Sequence, residues 1–165
     1  MKCVGKSYPT FDASAKVTGS AVYTDDIRLP GMLYGKILFS PVAHARIKNI
    51  DTTDAEALEG VEAVVSHLNS PKIEFNSTME STDDQSPETE MVFDSVVRYV
   101  GDKVAAVAAK SPEIAAKAIS LIKVEYEELP PLFDMKEALK ENSIEIHPGG
   151  NLIGKVVEEG QGTQG

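Results

Sequence analysis

The sequence predicts a mixed α+β fold, because short strand-like runs alternate with a few capped helices along its 165 residues. Three observations predict it. Strand formers recur at Leu33–Ser40, Ala43–Ile50, Val61–Ser66, Val92–Val100, Lys103–Ala109 and Val124–Glu127. One substantial helix opens at Ser111-Pro112-Glu113, and shorter ones open at Thr53 and Asp134. The composition, 42% hydrophobic and 25% charged, suits a globular chain long enough to bury one core.

Each element has a local reason. In the first thirty residues Tyr8-Pro9, Val17-Thr18-Gly19-Ser20 and Leu29-Pro30-Gly31 break the chain too often for a long helix. They read as an extended, turn-punctuated arm. Leu33–Ser40 is the first strand. After Ser40-Pro41, Ala43, Ala45, Ile47 and Asn49 alternate with His44, Arg46 and Lys48, so a second strand is expected to pair with the first and to point His44 outward. Thr53-Asp54-Ala55-Glu56 has the spacing of a capping box, and Gly60 is placed to end that short helix in a left-handed conformation. Val61–Ser66 reads as a buried strand.

From His67 to Glu90 no period survives: Asn69-Ser70-Pro71 and Ser81-Thr82-Asp83-Asp84-Gln85-Ser86-Pro87 are polar and breaker-rich. A connection of this length is a candidate binding loop. Gly101-Asp102 then joins Val92–Val100 to Lys103–Ala109 as a hairpin or a bend. At Ser111-Pro112-Glu113 the Ser caps, the Pro takes the first helical position and the Glu meets the positive helix end. Ile114, Ala115, Ala118, Ile119, Leu121 and Ile122 line one apolar face. Val124–Glu127 is a strand stopped by Leu129-Pro130-Pro131, and Asp134 caps a short helix over Met135–Lys140 with Glu137 at the box position.

Composition excludes several functions. A net charge of −10 opposes binding to a phosphate backbone, which needs clustered Lys and Arg. No apolar run nears the roughly 18–20 residues that cross a bilayer, and Met1-Lys2-Cys3-Val4-Gly5-Lys6 lacks the apolar stretch of a secretory signal. A cytoplasmic protein with neither nucleic-acid nor membrane partners is expected. Cys3 is the only cysteine, so the chain alone makes neither a disulfide nor a thiolate cluster. Nothing near it would activate it as a nucleophile.

No candidate for chemistry outweighs its bland alternative. Gly160-Gln161-Gly162-Thr163-Gln164-Gly165 spells a dinucleotide fingerprint without the helix that holds a pyrophosphate. His44, His67 and His147 lack ligand-like spacing. Asp25-Asp26 reads as a turn former and Glu127-Glu128 as a solvated strand end. Thr18 and Ser111 serve a turn and a helix cap, and Asn76-Ser77-Thr78 is a sequon without a secretory context. No catalytic, cofactor-binding or metal-binding residue is assigned.

Two long stretches resemble one family. Lys16-Val17-Thr18-Gly19-Ser20-Ala21-Val22-Tyr23-Thr24-Asp25-Asp26-Ile27 continues through Leu29-Pro30-Gly31 to Ser40-Pro41-Val42-Ala43-His44-Ala45-Arg46-Ile47. Val97-Arg98-Tyr99-Val100-Gly101-Asp102-Lys103-Val104-Ala105-Ala106-Val107 leads to Ile122-Lys123-Val124-Glu125-Tyr126-Glu127-Glu128-Leu129-Pro130. In order and spacing they resemble the xanthine dehydrogenase/aldehyde oxidase family, the molybdenum hydroxylases, at its N-terminal α/β-hammerhead domain. The resemblance implies residues 1–15 as an extended arm and 16–141 as the hammerhead. Residues 142–165 follow as a flexible tail leading toward a molybdopterin-binding domain outside this chain.

The implied parent hydroxylates a purine, an aldehyde or an aromatic compound at molybdopterin-bound molybdenum. Iron–sulfur clusters and FAD sit on its other domains or subunits. The chain itself is expected to be a non-catalytic structural domain, with no cofactor of its own, whose partners are those domains. Cut from its neighbours, it is expected to expose apolar surface through which it pairs as a homodimer. The competing expectation is a free-standing small-ligand or protein-binding module built on the loop 67–90.

Overall fold

The computed structural model describes residues 4–77 and 88–152. They form two compact units, one up to Met32 and one from Leu33 onward. Cys3, Thr78 and the Gly160–Gly165 fingerprint lie outside the described residues.

In the first unit a five-residue helix, α1 (Ala13–Val17), and a 3₁₀ turn at Thr24–Asp26 interrupt the stretch expected to be extended. The Thr18 hydroxyl closes α1 on the Ser14 carbonyl at 2.7 Å, and the Asp26 carboxylate accepts the Tyr23 N–H at 3.0 Å. Both polar residues therefore serve turns, as their types suggest.

The second unit is built on two three-stranded antiparallel sheets. The first takes β1 (Tyr34–Phe39), β5 (Lys103–Ala109) and β3 (Val61–Ser66) in the order β1-β5-β3. The second takes β4 (Val96–Val97), β2 (Ala45–Asp51) and β6 (Lys123–Glu128) in the order β4-β2-β6. Helix α2 (Thr53–Glu56) precedes β3, α3 (Pro112–Leu121) joins β5 to β6, and α4 (Met135–Ala138) follows β6. Mixed α+β is thus the observed class.

Pairing corrects one expectation. β1 and β2 are neighbours in sequence, yet they belong to different sheets. Between them Ser40 turns the chain: its Oγ donates to the Val42 carbonyl at 2.8 Å and accepts the Val42 N–H at 3.1 Å. Gly101, at φ +96°, lets the chain return between β4 and β5. Gly101-Asp102 is therefore the bend and not the hairpin.

The bend is tied to the first crossing, since Ser40 N–H donates to the Asp102 carbonyl and Gly101 N–H to the Ser40 carbonyl, each at 2.8 Å. β4 is much shorter than the apolar run Val92–Val100. Asp94 and Asp102 carboxylates take the Val96 and Arg98 N–H groups, removing donors from the ladder.

A bulge between Ile47 and Asn49 shifts the phase of β2, so Ala45, Ile47 and Ile50 are buried while Asn49 is exposed. His44 lies just before the strand and is buried, not outward: its Nδ1 meets the Pro130 carbonyl at 2.8 Å, and its own carbonyl accepts the Leu129 N–H at 2.9 Å. The capping box at Thr53 does not form. Thr52 is the N-cap, its hydroxyl donates to Glu56, and Asp51 Oδ1 accepts the Thr53 N–H at 3.0 Å.

The core lies between α3 and the sheets. Val97, Val104, Val107, Ala109, Ala115, Ala118 and Ile122 are buried, with Ile114, Ile119 and Leu121 packed against them. The apolar face expected of α3 is thus the face that packs. Ser111 caps it, accepting the Ile114 N–H at 3.3 Å. Asp134 likewise accepts the Lys136 and Glu137 N–H groups of α4. Glu137 turns to Lys140 instead of closing a box.

Gly60 does not end α2, which stops at Glu56. At φ +90° it turns the chain into β3, and a Cβ there would sit 2.7 Å from Ile114 Cδ1. Gly60→Ala should lower stability by about 1–3 kcal/mol, read as a fall in the urea midpoint. Ser111→Ala should cost about 1 kcal/mol by the same measurement.

Candidate functional site

A cluster of charged side chains surrounds Arg98, which follows β4. Asp94, four residues earlier, is brought beside it by the turn into that strand. Arg98 Nη1 donates to Asp94 Oδ2 at 2.6 Å and to the Val96 carbonyl at 3.2 Å, while Nε donates to the Ile146 carbonyl at 3.0 Å. Both charged side chains are largely buried. Burial pushes the Asp94 carboxyl up, but the Arg98 bond and charge, with the Val96 and Ser95 N–H groups, outweigh it and hold the carboxyl below its ordinary value.

A cavity of about 360 Å³ opens beside the pair, lined in part by Glu90, Tyr99, Asp102, Lys103 and His147. The Ser77 hydroxyl and N–H lower the Glu90 carboxyl. Burial raises the Tyr99 phenol, and Asp102 and Glu90 raise it further. Burial lowers the His147 imidazole, with Arg98 acting in the same direction against Asp102, Asp94 and Glu90. An adjoining cleft of about 480 Å³ is mostly apolar, lined by Leu132, Phe133, Met135, Ala138, Pro148 and Leu152.

Residues 144–152 form a strap that lines the larger cleft and reaches the smaller cavity through His147. Asn151 holds it, Oδ1 accepting the Ile146 N–H at 2.9 Å and Nδ2 donating to the Ile144 and Ala138 carbonyls at 2.8 and 3.1 Å. Arg98 fixes its middle. Chemically the cluster spends its donors on backbone carbonyls and its charge on an internal pair, which makes it a clasp.

The three histidines occupy separate settings. His44 fastens the start of β2 to the end of β6. His67 follows β3 and is buried, which lowers its imidazole, aided by Lys72 and opposed by Asp94. His147 rides the strap. Among the described residues no group of three or more His, Cys, Asp and Glu side chains is arranged to hold a metal ion. Glu127 and Glu128 are exposed at the end of β6. Of the loop 67–90, the described part is pinned where Phe75 and Glu90 exchange backbone hydrogen bonds.

The chain matches, over residues 18–130, the family described as "Aldehyde oxidase and xanthine dehydrogenase, a/b hammerhead domain". It belongs to that hammerhead family. It is 41% identical to a probable xanthine dehydrogenase subunit of Bacillus subtilis (strain 168), over 90% of this chain and 20% of that protein. To the nicotinate dehydrogenase large molybdopterin subunit of Eubacterium barkeri it is 39% identical, over 90% of this chain and 34% of the relative.

Among solved structures, the hammerhead resembles part of quinoline 2-oxidoreductase from Pseudomonas putida 86. The TM-score is 0.79 at 37% identity, covering 91% of this chain and 20% of that one. Aldehyde oxidoreductase from Desulfovibrio gigas gives a TM-score of 0.76 at 34% identity, covering 88% and 17%. The chain therefore spans about a sixth to a third of these relatives. The α/β-hammerhead fold and the molybdenum hydroxylase family, read from two blocks of sequence, are both confirmed.

Asp94 and Arg98 were not singled out as a pair by sequence, although their i, i+4 spacing was a signal. Arg98→Met should cost about 2–4 kcal/mol, somewhat below the loss for a fully buried pair. The Asp94 contribution is complete above the ordinary carboxyl value and is lost as pH falls through the lowered folded one. The gap between variant and parent urea midpoints should therefore be wide at pH 7 and narrow in acid.

His67 and His147 act in the same direction as Asp94 but at higher pH. Their lowered folded values mean that stability declines as pH falls below about 6.5. Ring-proton NMR should place both midpoints below that of free histidine, and His67→Gln should flatten the decline.

Proposed function

We propose that this chain is the hammerhead scaffold of a cytoplasmic molybdenum-dependent oxidoreductase of the xanthine dehydrogenase type, and that it performs no chemistry alone. The observation that supports this is the pairing of coverages. Nine-tenths of this chain aligns with a fifth of a molybdenum hydroxylase chain, at a TM-score of 0.79. In such a protein its partners are a molybdopterin-binding region of the same subunit and iron–sulfur and FAD domains or subunits. The parent would oxidise a purine, an aldehyde or an aromatic ring.

The described residues do not fit molybdopterin. A pterin with a phosphate and two sulfur ligands needs converging hydrogen-bond donors. Arg98 is committed to Asp94, Val96 and Ile146, and the larger cleft is walled mainly by apolar side chains. No reaction step is assigned to them. What the residues do is hold shape: the α3 core, the crossings at Ser40 and Gly101, and the Arg98 clasp present a rigid body to its neighbours.

Purified chain should contain no stoichiometric molybdenum or molybdopterin by metal analysis and pterin fluorescence, and should not support dye-linked oxidation of purines or aldehydes. Cofactor at one equivalent together with turnover would overturn the proposal.

A further inference from the structure

The first sheet has one face covered by the core and an opposite face that is open except at one end, where Val104 of β5 is buried. Helix α3 packs against it, and register places Leu38, Val107, Val64, Ala109 and Val61 on the core side. The opposite side carries two rows across the strands, Gly35, Ala108 and Ala63 beside Ile37, Ala106 and Val65. Ile37 is 40% exposed. None of the six belongs to the core cluster.

The solvated face of an antiparallel sheet normally alternates to polar residues. These six positions have no polar side chain, and the Gly/Ala row is flat enough for another element to approach closely. Lys36 and Glu62 sit on the flanking edge strands, where charges discourage edge-to-edge pairing and leave the face itself as the sticky surface.

We propose that this face is a docking surface, and that its occupant is an apolar layer of the remaining polypeptide of a molybdenum hydroxylase subunit. The inference rests on the function proposed above and names the surface through which the scaffold joins its parent. The relatives supply the argument for the occupant. In quinoline 2-oxidoreductase the hammerhead-like part is 20% of the chain, and in the Bacillus subtilis relative it is also 20%. Most of each subunit thus lies outside this fold. An uncovered apolar face is what a domain needs when much of its contact surface is with its own chain.

The test is a full-length chimera in which this chain's residues 18–130 replace the matching segment of the Bacillus subtilis relative. In a Cys3→Ser background, Ile37→Cys in this chain alone should react readily with a polar maleimide. The same cysteine in the chimera should react on the order of tenfold more slowly. Ile37→Lys and Val65→Lys should leave the unfolding midpoint of the chain alone nearly unchanged, yet sharply reduce recovery of protease-resistant chimera. Lys36→Glu should not.

Equal labelling in both contexts overturns the docking surface while leaving the scaffold reading intact, as does normal assembly of both lysine variants. If the parent chimera itself fails to assemble, the scaffold reading is what falls, and this inference falls with it. If the chain alone is a dimer that Ile37→Lys disperses, while the lysine chimeras assemble normally, the face serves self-association and the proposal is wrong.

Discussion

The second unit depends on one reciprocal backbone contact, where Ser40 and the Gly101-Asp102 bend exchange two hydrogen bonds of 2.8 Å. At that point the chain passes from the first sheet to the second between β1 and β2, and returns between β4 and β5. Both passages would otherwise leave buried amide groups unpaired, at a cost of roughly 1–3 kcal/mol each. By bonding to each other they allow two small sheets to share one core. Gly101 makes this possible because its φ of +96° is open to glycine and costly for other residues.

Much of the polar chemistry nearby serves the same junction. Asp102 accepts the Arg98 and Lys103 N–H groups, so the residue that bends the chain also caps the strand ends beside it. His44 ties the end of β6 to the start of β2. Arg98 then extends the network outward to the strap at Ile146. A small core of valines and alanines has little area to offer, and these partnered polar groups make the arrangement specific. That is why residues with catalytic reputations, such as His, Arg and Asp, are found in architectural roles.

Local signals read well wherever the physics is local. The Ser111 cap, the Pro112 start and the apolar face of α3 are set by spacing within one helix, and the structure has all three. Asp134 as a cap was legible for the same reason. Pairing was not, because alternation says which face a residue shares and nothing about which strand lies alongside: β1 looked like the partner of β2 and instead pairs with β5. His44 was misplaced by extending a strict alternation one residue before the strand and through a bulge at Ile47/Asn49. The capping box was lost because Thr52 is the N-cap and Asp51, at the end of β2, takes the Thr53 N–H. The family, in contrast, was legible from long ordered blocks whose specificity does not depend on pairing. The Asp94–Arg98 clasp needed the strap at 144–152 to become visible, and that contact spans 48 residues of sequence.

The Arg98 network ties the second unit to its own backbone, and removing Arg98 would strand Asp94 and free the strap. In the docking role proposed above, such a fold would hold one face in a constant shape. Sheet one illustrates how. Its inner face packs against α3 through Val107, Ala115 and Ala118, one strand thickness from Ile37, Ala106 and Val65 on the other side. Interiors packed like crystals transmit displacement instead of absorbing it. A substitution in the α3 contact is thus expected to alter the geometry of the outer face as well, which ties the stability of this fold to whatever it supports.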